Sequence, residues 1–194
     1  GTALALAYAE AHPDRVLGFV LRGAWTARAH EADWFRTGVQ QFFPDTVDRL
    51  APLPAGVGRD ELLARLFQIA ADESQPPAAR EQAAADYGRY ELYACYLEAT
   101  EEQIAKDLAA GPQLPVALIG GHYWNHGWFL RPNQLWDDLP RIVHLPCALI
   151  HGRYDVVTVP ATSYELHKAW PGSELHIVER AGHMTSEPPI ARVA

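Results

Sequence analysis

The sequence Pro146-Cys147-Ala148-Leu149-Ile150-His151-Gly152-Arg153-Tyr154-Asp155 sets the expected architecture of this 194-residue chain. A short and mostly apolar run, residues 147–152, follows a proline and leads into polar loop residues. A run of this length and composition is typical of a strand that is buried in a parallel sheet. We therefore predict a buried strand that delivers Asp155 on the first loop residues beyond its end.

The residues after this strand complete a pattern of strand, helix and strand. Residues 161–170 have a helical pattern that ends at Pro171 and Gly172, and residues 174–179 form a further strand-like run. Short loops join the three segments, and two parallel strands joined by a helix form a right-handed unit. The carboxyl ends of both strands are therefore expected at one edge of the sheet.

The beginning of the chain carries a second helix and strand. Residues 2–11 are rich in Ala and Leu, with Thr2 placed to cap a helix and Pro13 placed to end it. Residues 16–21 are a continuous apolar run closed by Arg22-Gly23. Such a run predicts a strand that is buried on both faces.

The middle of the chain lacks strand-like runs. It contains amphipathic helical stretches at 60–71 and 82–98, separated by prolines such as Pro76. A helical block inserted between strands of a parallel sheet is most simply a cap over their carboxyl ends. We therefore predict an α/β fold, a parallel sheet with flanking helices, in three segments: sheet core at 1–30, helical cap at 31–139 and sheet core at 140–194.

Composition disfavours several classes of partner. The formal net charge is -8, so the surface repels phosphate backbones and anionic lipid, and we expect neither nucleic acid nor membrane partners. The apolar residues 3–9 are too few to span a bilayer. Cys95 and Cys147 show no C-x-x-C spacing, so we expect free buried thiols and a cytoplasmic protein.

Neither a metal nor a cofactor is expected. His122 and His126 have a spacing that suits a metal site on a helix. The neighbouring Gly120, Gly121 and Gly127, however, predict that no stable helix forms there. The spacing of the two histidines is therefore interpreted as incidental.

Asp155 and the histidine of Arg180-Ala181-Gly182-His183 occupy equivalent places after consecutive strands. Gly182 is expected to let the backbone turn tightly and aim the imidazole at the strand ends. A carboxylate bonded to one imidazole nitrogen fixes the tautomer, so the other nitrogen can take a proton from a hydroxyl nucleophile. The alternative is that Asp155 caps the following turn and His183 is an ordinary loop histidine. We interpret the two residues as the acid and the base of a hydrolase, because acid precedes base in the order Ser, Asp, His.

The nucleophile is not found among the serines of the chain. None of its four serines stands in the G-x-S-x-G pattern of a strand-to-helix elbow. Gly1 begins a helix that leads into a strand, which is the place of the last glycine in such an elbow. The nucleophilic serine is therefore expected two residues before Gly1, outside this chain.

Several segments resemble proline iminopeptidases, a family of α/β-hydrolases whose elbow reads G-G-S-W-G and continues into such a helix. The likeness starts at Gly1-Thr2-Ala3-Leu4-Ala5-Leu6-Ala7-Tyr8-Ala9 and covers essentially the whole chain. It continues in His12-Pro13-Asp14-Arg15-Val16, Val20-Leu21-Arg22-Gly23, Asp33-Trp34-Phe35, Phe42-Phe43-Pro44, His151-Gly152-Arg153-Tyr154-Asp155 and Lys168-Ala169-Trp170-Pro171. The resemblance implies the C-terminal part of an α/β-hydrolase with an inserted helical cap. It also implies a serine peptidase that releases an N-terminal proline from small peptides.

The resemblance implies roles for single residues. Asp155 is expected to be the acid of the triad and His183 its general base. Glu91 matches one of the two family carboxylates that bind the free amine of the substrate, and its alternative is a solvated helix glutamate. Trp25 and Phe35 align with aromatic residues that line the small proline pocket, and core packing is the alternative for both.

One motif departs from the family pattern. In Leu118-Ile119-Gly120-Gly121-His122-Tyr123-Trp124, Gly120 replaces the second amine-binding glutamate. Losing one of two carboxylates weakens amine recognition, so an esterase or amidase activity stays open, as does a non-catalytic truncated scaffold. The isolated chain is expected to be inactive because the serine and the oxyanion loop are missing. It is also expected to associate through an unpaired edge of the strand at 16–21.

Overall fold

The computed structural model describes residues 1–50 and 58–193. Its sheet contains three parallel strands in the order β1 (Phe19–Arg22), β2 (Cys147–Gly152) and β3 (Glu174–Val178). Phe19 lies opposite Cys147, and Ala148 lies opposite Glu174. Since all three strands run in the same direction, the residues that follow them emerge at one edge of the sheet.

The helices account for most of the remaining regular structure. In chain order they are α1 (Thr2–Ala11), α2 (Ala29–Asp33), α3 (Pro44–Arg49), α4 (Leu62–Ala71), α5 (Pro77–Cys95), α6 (Glu101–Ala109), α7 (Gln113–Asn125), α8 (Gln134–Asp137), α9 (Pro160–Ala169) and α10 (Pro188–Ala191). Within residues 1–50 and 58–193, no helix is both long enough and apolar enough to cross a membrane. The predicted parallel sheet with flanking helices is therefore observed.

Clustering of the chain into compact parts gives two units. Unit 1 comprises Gly1–Ala32, Cys95–Leu97 and Leu130–Ala194, and unit 2 comprises Asp33–Ala94 and Glu98–Phe129. Unit 1 contains the whole sheet, and the described part of unit 2 is helical. Residues 130–139, which the sequence suggests as cap, cluster with the sheet, so unit 2 is shorter than the predicted inserted block.

The core of unit 1 lies where α1 and α9 pack on the sheet. Leu6 of α1, Leu149 of β2 and Leu166 of α9 are completely buried in one apolar cluster. Trp170 joins this cluster and donates its indole N–H to the carbonyl of Leu145 at 3.0 Å, so its polar atom is satisfied. Burial of each such side chain contributes about 1.5–3 kcal/mol, which fixes the helices against the sheet.

The first strand differs from its prediction. It spans Phe19–Arg22 instead of residues 16–21, and it pairs with β2 alone among the described strands. Leu21 is buried, but the side chain of Val20, which points to the opposite face, is 68% exposed, and Leu17 is 96% exposed. The prediction of a strand buried on both faces is therefore wrong, because no described residues cover the face that carries Val20.

In unit 2, α7 contradicts the expectation that glycines would prevent a helix there. The helix runs through Gly120 and Gly121 to Asn125, and it packs against α4. A Cβ at Gly121 would lie 2.9 Å from Cβ and Cγ of Phe67 on α4. Glycine is used there because the two helices approach too closely for a side chain, and this packing outweighs its low helix propensity.

Candidate active site

Asp155 lies in a turn directly after β2. Its Oδ1 accepts hydrogen bonds from the backbone N–H groups of Val157 and Thr158, both at 3.0 Å. Its Oδ2 accepts a bond from the Thr158 hydroxyl at 3.1 Å. The residue is only 3% exposed. Asp155 therefore caps its own turn, as the alternative interpretation expects, while its second oxygen stays available to a further donor.

That further donor is His183, which follows β3. The Nδ1 atom of His183 lies 2.7 Å from Oδ2 of Asp155, and the imidazole is 20% exposed. The Thr158 hydroxyl also lies 3.3 Å from Nδ1. Because the carboxylate engages Nδ1, proton exchange with a nucleophile or a substrate falls to Nε2. The structure thus brings together the two residues that the sequence suggests as acid and base.

A close contact between the two loops makes this distance possible. A Cβ at Gly152 would lie 2.0 Å from the carbonyl oxygen of Gly182 and 2.6 Å from that of Ala181, so no side chain fits there. The backbone N–H of Tyr154 donates to the Ala181 carbonyl at 2.9 Å. The loop with the acid and the loop with the base are therefore joined through their backbones.

Gly182 serves a different purpose from the predicted one. The left-handed conformation in this loop belongs to Arg180, which has a φ of 57°. At Gly182 a Cβ would lie 2.8 Å from the Leu97 nitrogen and 3.0 Å from the Cys95 carbonyl oxygen. The His183 N–H donates to that same Cys95 carbonyl at 2.8 Å. Gly182 therefore permits close packing on residues 95–97, and the tight turn is made by Arg180.

The end of β1 supports the imidazole from another side. Gly23 has a φ of +56°, and a Cβ there would lie 2.7 Å from Cε1 of His183. Both the conformation and the contact require glycine. The guanidinium of Arg22 donates to the His183 carbonyl. All three strands of the sheet therefore contribute residues that hold the base in place.

The electrostatics of the site favour an ionised acid. Burial by itself raises the pKa of the Asp155 carboxyl, but hydrogen bonds from His151 and His183 outweigh burial and hold that pKa well below its ordinary range. A carboxylate that keeps its charge at neutral pH can fix the tautomer of His183 and stabilise an imidazolium. The pair can therefore act as a general base for a hydroxyl group.

Trp25 lies half-buried in the loop after β1. Its backbone N–H donates to the Thr2 hydroxyl at 3.0 Å, and that hydroxyl donates to the Trp25 carbonyl at 3.2 Å. The N-cap residue of α1 is Gly1, without a side-chain cap bond. The predicted capping role of Thr2 is therefore wrong, because its hydroxyl bonds the loop that carries Trp25.

A buried carboxylate fixes the same loop. Glu31 is 4% exposed and accepts hydrogen bonds from the Thr26 and Arg28 N–H groups, at 3.2 and 2.9 Å. It also accepts bonds from the hydroxyls of Thr26 and Thr162, at 2.8 and 2.6 Å. The segment between Gly23 and α2 is therefore tied to α9 within unit 1.

Phe35 belongs to an aromatic cluster of unit 2. It lies in a π-helical turn, Trp34–Gly38, and its ring packs edge-on against Tyr90, with 5.5 Å between the ring centroids. The Tyr90 hydroxyl donates to the Phe35 carbonyl at 2.5 Å, and burial raises the pKa of this hydroxyl. The Trp124 ring lies 6.1 Å from that of Phe35. These contacts agree with core packing, and the pocket role of Phe35 stays a prediction.

Glu91 and Gly120 also lie in unit 2. Glu91 is half-buried on α5, next to Tyr90. Gly120 is half-buried on α7, where a Cβ would first meet Tyr87, with its hydroxyl at 3.5 Å. That distance is an ordinary van der Waals contact. A side chain therefore fits at the position where the resemblance leads one to expect a glutamate.

The two histidines on α7 contact each other. The Nδ1 atom of His126 lies 2.8 Å from the His122 carbonyl oxygen, and the ring centroids are 4.5 Å apart. In the described part of the chain, no group of three or more His, Cys, Asp or Glu side chains could hold a metal ion. The pair is therefore an exposed contact between two rings at the end of a helix.

Three residues that touch the acid and the base were not singled out by the sequence, namely His151, Thr158 and Gly23. Thr158 had a usable signal, because a hydroxyl three residues after an aspartate is a common capping arrangement. His151 had none, since it is part of the apolar run of β2. Gly23 reads as a strand terminator, and its contact with the imidazole depends on the register of β1 with β2.

Comparison with known proteins agrees with this fold and geometry. A family model for the alpha/beta hydrolase fold matches residues 1–188. A proline iminopeptidase of Arabidopsis thaliana is 35% identical over 195 residues, which cover 98% of this chain and 50% of the relative. A proline iminopeptidase of Xylella fastidiosa strain 9a5c is 36% identical over 190 residues, which cover 97% of this chain and 60% of the relative. The chain therefore spans between half and three fifths of the length of these relatives.

Solved structures support the fold alone, because their sequence identity is low. An esterase from Exiguobacterium antarcticum superposes with a TM-score of 0.58 at 18% identity, over 100% of this chain and 60% of the esterase. A thermophilic esterase from Thermogutta terrifontis gives a TM-score of 0.51 at 22% identity, over 99% of this chain and 58% of the esterase. The family match covers nearly the whole chain, the sheet and its loops agree with it, and the predicted likeness to proline iminopeptidases is confirmed: this chain belongs to the α/β-hydrolase family.

Proposed function

We propose that this chain carries the acid and the base of a serine hydrolase that releases N-terminal proline from peptides. The observation that supports it most directly is the 2.7 Å contact between Nδ1 of His183 and Oδ2 of Asp155. The names of the relatives at 35–36% identity support the substrate class. The two free cysteines, both buried, support the accompanying proposal of a cytoplasmic protein.

The mechanism follows from the roles of the two ring nitrogens. Asp155 accepts the proton of Nδ1 and so leaves Nε2 unprotonated and ready to act as a base. As the serine oxygen attacks the scissile carbonyl, Nε2 takes the serine proton, and the Asp155 charge stabilises the resulting imidazolium. The imidazolium then returns this proton to the leaving amine, and water repeats the sequence on the acyl-enzyme.

We place the nucleophilic serine outside residues 1–194. Three of the four serine hydroxyls bond other groups: Ser74 bonds Asp72 at 2.6 Å, Ser163 bonds His151 at 2.6 Å and Ser173 bonds His167 at 2.9 Å. Ser186 lies exposed, three residues after the base. We therefore expect residues 1–194 alone to hydrolyse no prolyl amide. Turnover by the purified chain that disappears in His183→Ala would contradict this expectation.

For substrate recognition we propose that Glu91 binds the ammonium group and that Trp25 and Phe35 contact the pyrrolidine ring. A partly desolvated carboxylate binds an ammonium well, and it disfavours a blocked amine because the carboxylate is then left unpaired. Glu91 is half-buried, which suits this role. The expected partner is a small peptide with a free N-terminal proline.

A second candidate function is hydrolysis of esters or amides without recognition of a free amine. Gly120 favours it, because a glycine supplies no carboxylate at the position where proline iminopeptidases are expected to have one. With Glu91 as the remaining amine ligand, discrimination against blocked substrates is expected to be weaker. The two candidates differ in substrate choice and share the same acid and base.

The experiment compares two substrates in the complete gene product that carries this chain. For a proline iminopeptidase, kcat/KM for a free prolyl amide should exceed that for the N-acetylated prolyl amide at least tenfold. Glu91→Gln should lower kcat/KM for the free substrate by roughly 10- to 100-fold, since a hydrogen bond to a charged group contributes about 1.5–3 kcal/mol. Glu81→Gln, an exposed change on the same helix, is the matched control and should have little effect.

Two further variants separate the outcomes. Asp155→Asn and His183→Ala should each lower kcat for either substrate by roughly 10⁴-fold, because the base loses its tautomer or is absent. Equal turnover of free and acetylated substrates, combined with these losses, would favour the second candidate. Retention of activity in Asp155→Asn would contradict both candidates.

A further inference from the structure

His151 is a completely buried histidine that contacts the acid and is not needed as the base. It is the fifth residue of β2, and both of its ring nitrogens have partners. Its Nε2 lies 2.5 Å from the Thr158 carbonyl oxygen and 3.2 Å from Oδ2 of Asp155. Its Nδ1 lies 2.6 Å from the Ser163 hydroxyl. A buried imidazole with three such contacts is held in one orientation.

The partners assign the proton of this ring. A carbonyl oxygen only accepts hydrogen bonds, so Nε2 of His151 must carry the hydrogen that points at Thr158. The same N–H is directed towards Oδ2 of Asp155. The Ser163 hydroxyl can donate to Nδ1, which satisfies the ring in its neutral form. His151 therefore presents a donor to the same carboxylate oxygen that receives the His183 proton.

We propose that His151 is a positioning residue that holds the Asp155 carboxylate in the orientation required by His183. This inference rests on the proposed function of Asp155 as the acid. Rotation of the carboxylate about its last bond would remove Oδ2 from His151, Thr158 and His183 at once. The bond from His151 to the Thr158 carbonyl also closes the turn whose N–H groups hold Oδ1. His151 thus acts on both the side chain and the backbone of the acid.

The competing interpretation is that His151 is a core residue with satisfied hydrogen bonds and no effect on the base. Both interpretations predict that its removal lowers stability, so a melting temperature does not separate them. They differ for the proton between His183 and Asp155. A positioning residue must change the strength or the lifetime of that hydrogen bond, whereas a core residue must leave it unchanged in the folded protein.

The test uses the complete gene product, with ¹⁵N-labelled histidine, and three variants. His151→Phe keeps a ring and removes both nitrogens, His151→Gln keeps a side-chain amide donor, and Asp155→Asn is the reference for loss of the acid. The first measurement is kcat and KM for a free prolyl amide. The second is the downfield proton resonance of His183 Nδ1–H, which requires no turnover.

His151→Phe is expected to lower kcat roughly 10- to 100-fold, because a misplaced catalytic group costs about this much. KM should stay within about twofold, since His151 is not proposed to touch substrate. The Nδ1–H resonance should broaden or vanish through faster exchange with water. His151→Gln should recover most of both signals, because its amide can donate to Oδ2.

Wild-type kcat and an unchanged resonance in folded His151→Phe would overturn the positioning role. If Asp155→Asn then still abolishes activity, the proposed function stands without it. Full activity in Asp155→Asn would instead refute the proposed function, whatever His151→Phe does. If His151→Phe does not fold, Ser163→Ala decides, because it removes the partner of Nδ1 and keeps the ring. A roughly two- to tenfold lower kcat with a shifted resonance supports the proposal, and wild-type values of both overturn it.

Discussion

Two neighbouring glycines on α7 should respond in opposite directions to the same substitution. Alanine at Gly120 adds a methyl group whose nearest atom, the Tyr87 hydroxyl oxygen, lies 3.5 Å away. Alanine at Gly121 puts the same methyl group 2.9 Å from Cβ and Cγ of Phe67. Gly120 is half-buried, whereas Gly121 is buried against α4. The pair therefore separates helix propensity from packing within one turn of one helix.

The expected magnitudes follow from these distances. In a helix interior alanine is favoured over glycine by about 1 kcal/mol, so Gly120→Ala should raise the free energy of unfolding by roughly 0.5–1 kcal/mol. At Gly121 the same gain is opposed by overpacking, which costs about 1–3 kcal/mol. Phe67 is 4% exposed and has little room to move. Gly121→Ala should therefore lower the free energy of unfolding, by up to about 2 kcal/mol.

Thermal and urea unfolding, followed by circular dichroism and tryptophan fluorescence, measure both changes. Each kcal/mol corresponds to about 2–4 °C in Tm for a protein of this size. Gly120→Ala should melt a few degrees above the wild type, and Gly121→Ala below it. Trp124 lies on α7, with its ring 6.3 Å from that of Phe67, and reports on this contact. If both variants lose stability equally, the reasoning that α7 is a continuous helix packed on α4 fails.

Three further predictions concern other positions. Glu10 is buried with both oxygens unbonded among the described residues, and burial, with the Asp138 charge, raises the pKa of its carboxyl from 4.5 to about 7. The folded state then keeps a proton that the unfolded state loses, so the free energy of unfolding should fall as the pH rises through this window, by at most about 2 kcal/mol after solvent screening; urea titrations at several pH values should show that Glu10→Gln removes this fall. Gly23→Ala strains a left-handed residue and places a methyl group 2.7 Å from Cε1 of His183, so kcat of the complete gene product should drop more than about tenfold; an unchanged kcat would mean that the imidazole tolerates displacement. Gly120→Glu should restore a second amine-binding carboxylate and raise the preference for free over N-acetylated prolyl amide roughly tenfold; an unchanged ratio of kcat/KM values would count against a role of α7 in reading the amine.

The sequence predicted the strands next to the acid and the base well, because their signals are local. β2 spans the predicted residues 147–152, and β3 ends one residue before the predicted 179. Apolar runs bounded by proline, glycine and polar residues leave little choice of boundary. The run at 16–21 was predicted less well, because composition does not show that Val20 would remain 68% exposed.

Other errors came from contacts between distant residues. Thr2 looks like a helix cap, but its hydroxyl bonds the backbone of Trp25, 23 residues away. Gly121 looks like a helix breaker, but it lies where α7 approaches Phe67. A propensity concerns the local backbone, whereas these two roles depend on which segment lies opposite. The same limit hid His151, whose partners become neighbours only when the turn after β2 closes.

The order in which donors surround the acid explains why residue types predicted the pair although the geometry was out of reach. A buried carboxylate without partners is strongly disfavoured, so its donors must be present in the folded chain. Four of the five donors to Asp155 come from residues 151–158: His151 Nε2, the N–H groups of Val157 and Thr158, and the Thr158 hydroxyl. His183 supplies the fifth from the next loop. The acid is therefore held by its own turn before the base contributes, and the carboxylate presented to His183 already has a fixed direction.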